Sequence, residues 1–206
     1  MVERTAGLPD NSVTVVIPHI PPRRIPLLRA IRSVNDQTHP VDAISIFTDN
    51  ERRGAGRTRN MALAMARTSW VAFLDDDDYL HRDHIEVLLR HALETDADVV
   101  YSACRVIHTD LGEIPADHPA WEEWGRPGKP FDPELLRERS YLPVTSLVKT
   151  SLAQRSSFEP PPGSHYDDWG FYLGLLDLGA RFSHINEVTW TWTHGDHNTS
   201  GDPERW

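Results

Sequence analysis

Short continuous apolar runs alternate with apolar residues three and four apart through the first half of this chain. "SVTVVIP" (12–18) is unbroken and β-branched, the pattern of a strand covered on both faces, with Pro18 at its end. "LLRAIRSVNDQ" (27–37) sets Leu27, Leu28, Ile31 and Val34 at helical spacing. "AISIFTD" (43–49) predicts a second buried strand ending at Asp49, and "GRTRNMALAMA" (56–66) a helix entered through Gly54 and Gly56. "WVAFL" (70–74) predicts a third strand. "RDHIEVLLRHALE" (82–94) predicts an amphipathic helix with Ile85, Leu88, Leu89 and Ala92 on one face, and "ADVVYSACRVI" (97–107) a fourth strand. Strands alternating with helices of this length predict an α/β fold with a mainly parallel central sheet flanked by helices.

The pattern changes near residue 111. A turn-rich stretch with two tryptophans (112–133) precedes a short helix at 133–138, a strand at 144–148 and a helix at 167–178. Two short strands, "ARFSHI" (180–185) and "EVTWTWT" (187–193), and a polar tail follow. The expected organisation is one domain over 1–206, with a nucleotide-binding half at 12–107 and an appended substrate half at 108–206.

Ligands of open α/β sheets bind beyond the carboxyl ends of the strands. Pro18-His19, Asp49 and the run Asp75-Asp76-Asp77-Asp78 all fall just past predicted strand ends. Four adjacent carboxylates repel one another, so something must offset that cost. A helix-capping turn is one answer, but Asp83 caps the next helix equally well. A calcium EF-hand is a second: Asp75, Asp77, Asp83 and Glu86 fall at loop positions 1, 3, 9 and 12. There, however, Leu80 takes the place of the required Gly, and a strand precedes the loop. The third is a magnesium or manganese site holding a diphosphate on hard oxygen ligands.

Charge and composition narrow the classes. The chain has 206 residues and a net charge of −10, which argues against a general nucleic-acid or anionic-membrane binder and suits a cation site. One cysteine, Cys104, allows no internal disulfide. No signal-peptide core is read in "MVERTAGLPDNS", so the expectation is a cytoplasmic protein. Asp167-Asp168 open a predicted helix, where carboxylates are either electrostatically placed caps or a general base at the cleft. Trp121, Trp124 and Phe131 either stack on a sugar or base or close a small core. Arg57 and Arg59 sit near a helix start, a placement that suits a bound anion.

"VVIP", "AIRSVNDQT", "FTDN", "GRTRNMALAMA", "WVAFLDDDDYL", "PVTSLVKTSL", "YDDWGFYLGLLDLGARF" and "HGDHNTS" together resemble, in order and spacing, the inverting glycosyltransferases of family 2. The resemblance implies the GT-A fold, a Mn²⁺ or Mg²⁺ cofactor, a nucleotide-sugar donor such as a UDP-sugar and a hydroxyl-bearing acceptor. It implies that Pro18, His19, Asp49, Arg59, Asp75 and Asp76 bind the donor. It further implies that Asp77, with His194 or His197, binds metal, and that Asp168 is the general base. The chain departs from the family pattern in His19-Ile20-Pro21-Pro22 after the first strand and in having an Asp-Asp pair at 167–168. A sugar-phosphate nucleotidylyltransferase is disfavoured because "PHIPPRR" (18–24) is poor in glycine. A catalytically silent nucleotide-sugar-binding module has no need of Asp168.

Overall fold

A computed structural model describes residues 11–115, 118 and 128–195. Its elements are β1 (Val13–His19), a 3₁₀ turn (Pro21–Arg23), α1 (Arg24–Asn35), β2 (Ala43–Thr48), α2 (Ala55–Leu63), β3 (Trp70–Phe73), β4 (Tyr79–Leu80) and α3 (His84–Thr95). They continue with β5 (Val99–His108), β6 (Gly112–Ile114), α4 (Pro133–Glu138), β7 (Ser146–Lys149), α5 (Thr150–Ala153), α6 (Asp167–Asp177) and β8 (Phe182–His194). One eight-stranded sheet takes the order β2-β1-β3-β7-β5-β8-β4, with β6 on β5.

Alternation along the central strands builds two cores. Val13, Val15 and Ile17 of β1, and Trp70, Ala72 and Leu74 at β3, face α1 and α3. Val16, Val71 and Phe73 point the other way, toward α2 and α6. On that second side Phe158 stacks on Phe171 at 4.0 Å, and Phe73 meets both rings edge-on. Phe131 stacks on Phe182 at 4.5 Å, so this aromatic closes a core rather than standing free for a sugar. Trp121 and Trp124 lie outside the described residues.

Several expectations about the sheet change. β1, β2 and β3 pair in parallel as expected, but the sheet as a whole is mixed, because β7 inserts antiparallel between β3 and β5. Pro18 does not end β1; it pairs in register with Phe47 and the strand continues to His19. The two expected strands near 180–193 are one, β8. It shifts register against β5 twice, so that Ser102 opposes Ile185 but Ala103 opposes Val188. These irregularities hide its continuity from an alternation pattern. α2 ends at Leu63, three residues early, in a turn closed by Met65 and Ala66 amides on the Ala62 and Leu63 carbonyls. Among the described residues, no helix is long and apolar enough to cross a membrane.

Asp98, just before β5, ties three strands together. Its carboxylate accepts from Lys149 Nζ on β7 at 2.7 Å, and from Arg181 N and Nε beside β8 at 2.9 and 3.1 Å. Burial alone would raise its pKa, but these donors outweigh it and hold the group down to about 2. A carboxylate depressed in the folded state stabilises the fold above its unfolded pKa and loses that effect as pH falls. Asp98→Asn should therefore lower stability by roughly 1–2 kcal/mol at neutral pH. In urea unfolding at stepped pH the deficit should shrink between about 4 and about 2. A deficit unchanged at the acid end would mean that packing, not charge, is lost.

Candidate active site

Parallel pairing of β1 with β2 and β3 brings their carboxyl ends to one edge of the sheet. His19, Asp49 and the loop of aspartates therefore meet there, as the strand-end argument predicts. The loop turns tightly, with the Asp78 amide donating to the Asp75 carbonyl at 3.1 Å.

Each of the four carboxylates is engaged by the surrounding chain, with Asp76 and Asp77 sharing Arg23. Asp76 is buried and accepts from His19 Nδ1 at 2.8 Å, Arg23 Nη1 at 3.1 Å and the Ile20 amide at 3.3 Å. Asp77 meets the same Arg23 guanidinium at 2.9 Å. Asp78 is buried and accepts from the Thr193 amide of β8 at 2.7 Å. Arg29 of α1 donates to the Asp77 carbonyl and to Thr193 Oγ1, linking helix, loop and β8. Asp75 pairs with Arg59 at 2.6 Å.

Compensation is incomplete. Asp77 is raised to about 7: burial pushes it up most, Arg23 pulls it down, and Asp75 and Asp76 push it up further. Burial, then Asp77 and Asp75, raise Asp78 well above the ordinary carboxylate range. Oxygens of Asp75, Asp77 and Asp78 lie within 4.8 Å of one another. Three converging hard oxygen donors, two of them disfavoured as bare anions, fit Mg²⁺ or Mn²⁺. Asp78 is the member that sequence reasoning passed over, although it stands in the same run.

Arg59 occupies the floor of the site. It is 6% exposed, and its Nη2 reaches Asp75 while Nη1 reaches Asp167 Oδ1 at 2.8 Å. Its guanidinium carbon lies 5.4 Å from the Phe158 ring centre. Burial works against its charge, but Asp75 and Asp167 more than offset that and hold it protonated. The anions that this helix start attracts thus come from the chain itself. Asn60, next in sequence, clamps the loop after α5: its side chain donates to Ser157 Oγ and the Phe158 carbonyl and accepts from the Phe158 amide.

Asp167 and Asp168 begin α6 in different surroundings. Asp167 lies against Arg59 and Gly56, and a Cβ at Gly56 would stand 2.7 Å from its Oδ2. Only glycine leaves room for α2 and α6 to meet with this carboxylate between them. Asp168 accepts from the Trp169 amide at 2.8 Å. Burial, reinforced by the charge of Asp167, pushes its carboxyl up to about 7, against the pull of Arg59.

Asp49 is turned to the loop that follows β2. Its two oxygens accept from the amides of Glu51 at 3.2 Å and Gly54 at 2.9 Å. Burial would raise its pKa, but amides from Arg53, Gly54 and Glu51 hold it below the usual range. The loop passes through Gly54 at φ 99° into α2. His194 ends β8 with its ring 4.7 Å from Trp192 and 5.4 Å from His108, and it is not one of the three residues of the carboxylate group. His197 lies outside the described residues.

The sequence model of glycosyl transferase family 2 matches residues 41–158. Among solved structures, S. aureus TarS 1–349 aligns with a TM-score of 0.65 at 16% identity, over 88% of this chain and 60% of that one. The same TarS segment in complex with UDP-GlcNAc aligns at 0.67 and 16%, over 92% and 61%. Its complex with UDP aligns at 0.63 and 15%, over 94% and 67%. The chain thus spans about three fifths of the first of these structures, and the likeness shows the fold, GT-A. No curated protein matches the chain in sequence.

Arg59→Met leaves Asp75 and Asp167 facing each other without their shared cation. Loss of one partner from a buried pair costs about 3 kcal/mol or more. The loss, read by urea unfolding, should be larger at pH 8 than at pH 5, because the orphaned carboxyls can take up protons in acid. Equal loss at both pH values would show that the guanidinium contributes packing alone.

Proposed function

The chain belongs to glycosyl transferase family 2, and on that footing we propose that it transfers a sugar, with inversion, from a nucleotide diphosphate donor to an acceptor hydroxyl. A UDP-sugar is the donor this reading favours, by analogy with the TarS structures that hold UDP-GlcNAc and UDP. The observation that carries the reading is the pairing, at one sheet edge, of a converging carboxylate triad with a second, separate carboxylate of raised pKa.

Asp75, Asp77 and Asp78 would hold Mg²⁺ or Mn²⁺, which when bound offsets charge on the leaving diphosphate. Asp168 is the base in this reading. A carboxyl near pH 7 suits proton transfer at neutral pH better than an ordinary aspartate, which binds a proton too weakly. It takes the hydroxyl proton as the acceptor oxygen attacks the anomeric carbon. Asp167 is committed to Arg59, so its charge serves structure. Arg59 orients Asp75 and the start of α6 together, and so fixes the distance between donor and base. Asp49, with its oxygens on the 51–54 amides, shapes the loop against which the nucleotide rests; His19 and Arg23 steady Asp76 beneath the metal ligands. Residues 12–107 then form the donor half and 108–206 the acceptor half.

Turnover with Mn²⁺ over a panel of UDP- and GDP-sugars tests the activity. Tight UDP binding by calorimetry should require the metal; equal affinity in EDTA would rule out the triad as its holder. UDP binding without transfer to any acceptor would favour a binding module instead.

Asp168→Asn should reduce transfer by about 10²–10⁴-fold with donor affinity little changed. In the wild type the rate should rise with pH through about 7, as the base loses its proton, and this limb should vanish in the variant. Asp167→Asn should instead lower stability, through Arg59. A rate loss confined to Asp167→Asn would move the base by one residue.

A further inference from the structure

Helix α1 stands apart from the charge of the chain. It carries Arg24, Arg29 and Arg32 and no acidic residue, in a protein of net charge −10. At about 100° per residue, Arg24, Ile25, Leu28, Arg29 and Arg32 share one face spanning roughly 140°. Ala30 and Val34 lie on the opposite face and are buried in the core. On the outer face Ile25 is 81% and Leu28 59% exposed. Arg32 meets Asp36 only at 3.7 Å, with both side chains in solvent. Beside the helix runs a groove of about 670 Å³ whose lining includes Arg29, Arg32, Arg82 and Tyr79, with one carboxylate, Asp36.

We propose that the outer face of α1 docks on an anionic lipid surface. This face offers a bilayer two attractions, exposed apolar area at Ile25 and Leu28 and positive charge at Arg24 and Arg32. Ile25 and Leu28 enter the acyl boundary, and Arg24 and Arg32 pair with headgroup phosphates, while Arg29 stays on the Asp77 carbonyl, Thr193 and Tyr79. The groove, with Tyr79 on its wall, admits a headgroup beside the helix. Charge complementarity selects this occupant. A second copy related by a two-fold axis would set the same three arginines against each other. A nucleic acid would leave Ile25 and Leu28 without apolar partners. Net charge, which argued against an anionic surface, averages over the molecule. Here it has a directional effect, since the acidic remainder is repelled and α1 is turned toward the bilayer.

Vesicle flotation of the full chain tests the proposal. Binding is expected to vesicles of phosphatidylcholine mixed with phosphatidylglycerol, weak with phosphatidylcholine alone, and reduced by high salt. Arg24→Gln with Arg32→Gln should weaken binding on the order of 30-fold. Ile25→Ser with Leu28→Ser should weaken it at least about tenfold. All four side chains are exposed, so thermal melting should stay at the wild-type value. Equal binding to both vesicle types, binding to neither, or full retention by both double variants overturns the proposal. So does a change of sedimentation from dimer to monomer in the variants without vesicle binding, which would identify a subunit interface.

Discussion

One guanidinium joins the two halves of this molecule. Arg59 comes from α2, Asp75 from the end of β3 and Asp167 from the start of α6, separated by 16 and 108 residues from it. A buried arginine needs carboxylates on both sides, and two inward-facing carboxylates need a cation between them. Neither arrangement is tolerable alone, so the sheet edge and the second helical layer are held at a single spacing. The aromatic trio Phe73, Phe158 and Phe171 fills the space below and keeps water from loosening the contact.

The same reasoning explains how four adjacent aspartates can be accommodated. Their partners come from four different elements: the end of β1, the 3₁₀ turn, α2 and β8. Asp76 is taken up by His19 and Arg23, while Asp75, Asp77 and Asp78 keep oxygens within 4.8 Å of one another, so only part of the repulsion is relieved. What compensation leaves over is concentrated at Asp77 and Asp78, two of the three carboxylates at which the divalent ion is proposed.

Much of this was legible in the residues. Short continuous apolar runs identified β1, β3 and β5, and the strand-end argument brought His19, Asp49 and the aspartates to one edge. Pairing partners were not legible, because insertion of β7 beside β3 depends on long-range contacts that leave no local period. The register shifts of β8 broke one strand into two for the same reason. Arg59 was singled out as a contact for a bound donor anion, and nothing in "GRTRNM" says that Asp75 and Asp167 of the chain itself hold it. Asp78 was hidden by a choice of spacing: an alternating D-x-D reading selects Asp75 and Asp77 and skips the buried neighbour whose partner, Thr193, lies 115 positions away. The arginine face of α1 was visible letter by letter, yet total charge obscured it.

The Thr193 amide on Asp78 has a consequence for the order in which the molecule matures. During synthesis the four carboxylates emerge well before β8, the strand that supplies this amide and pairs with β4. Until then Asp78 has no main-chain donor, and β4, only two residues long, has no neighbour in the sheet. A domain folds as a unit, and the final form of this loop depends on β8, late in the chain. A partly made chain would therefore carry an acidic segment of unset shape, and the ion site proposed at Asp75, Asp77 and Asp78 would be complete only once β8 has docked.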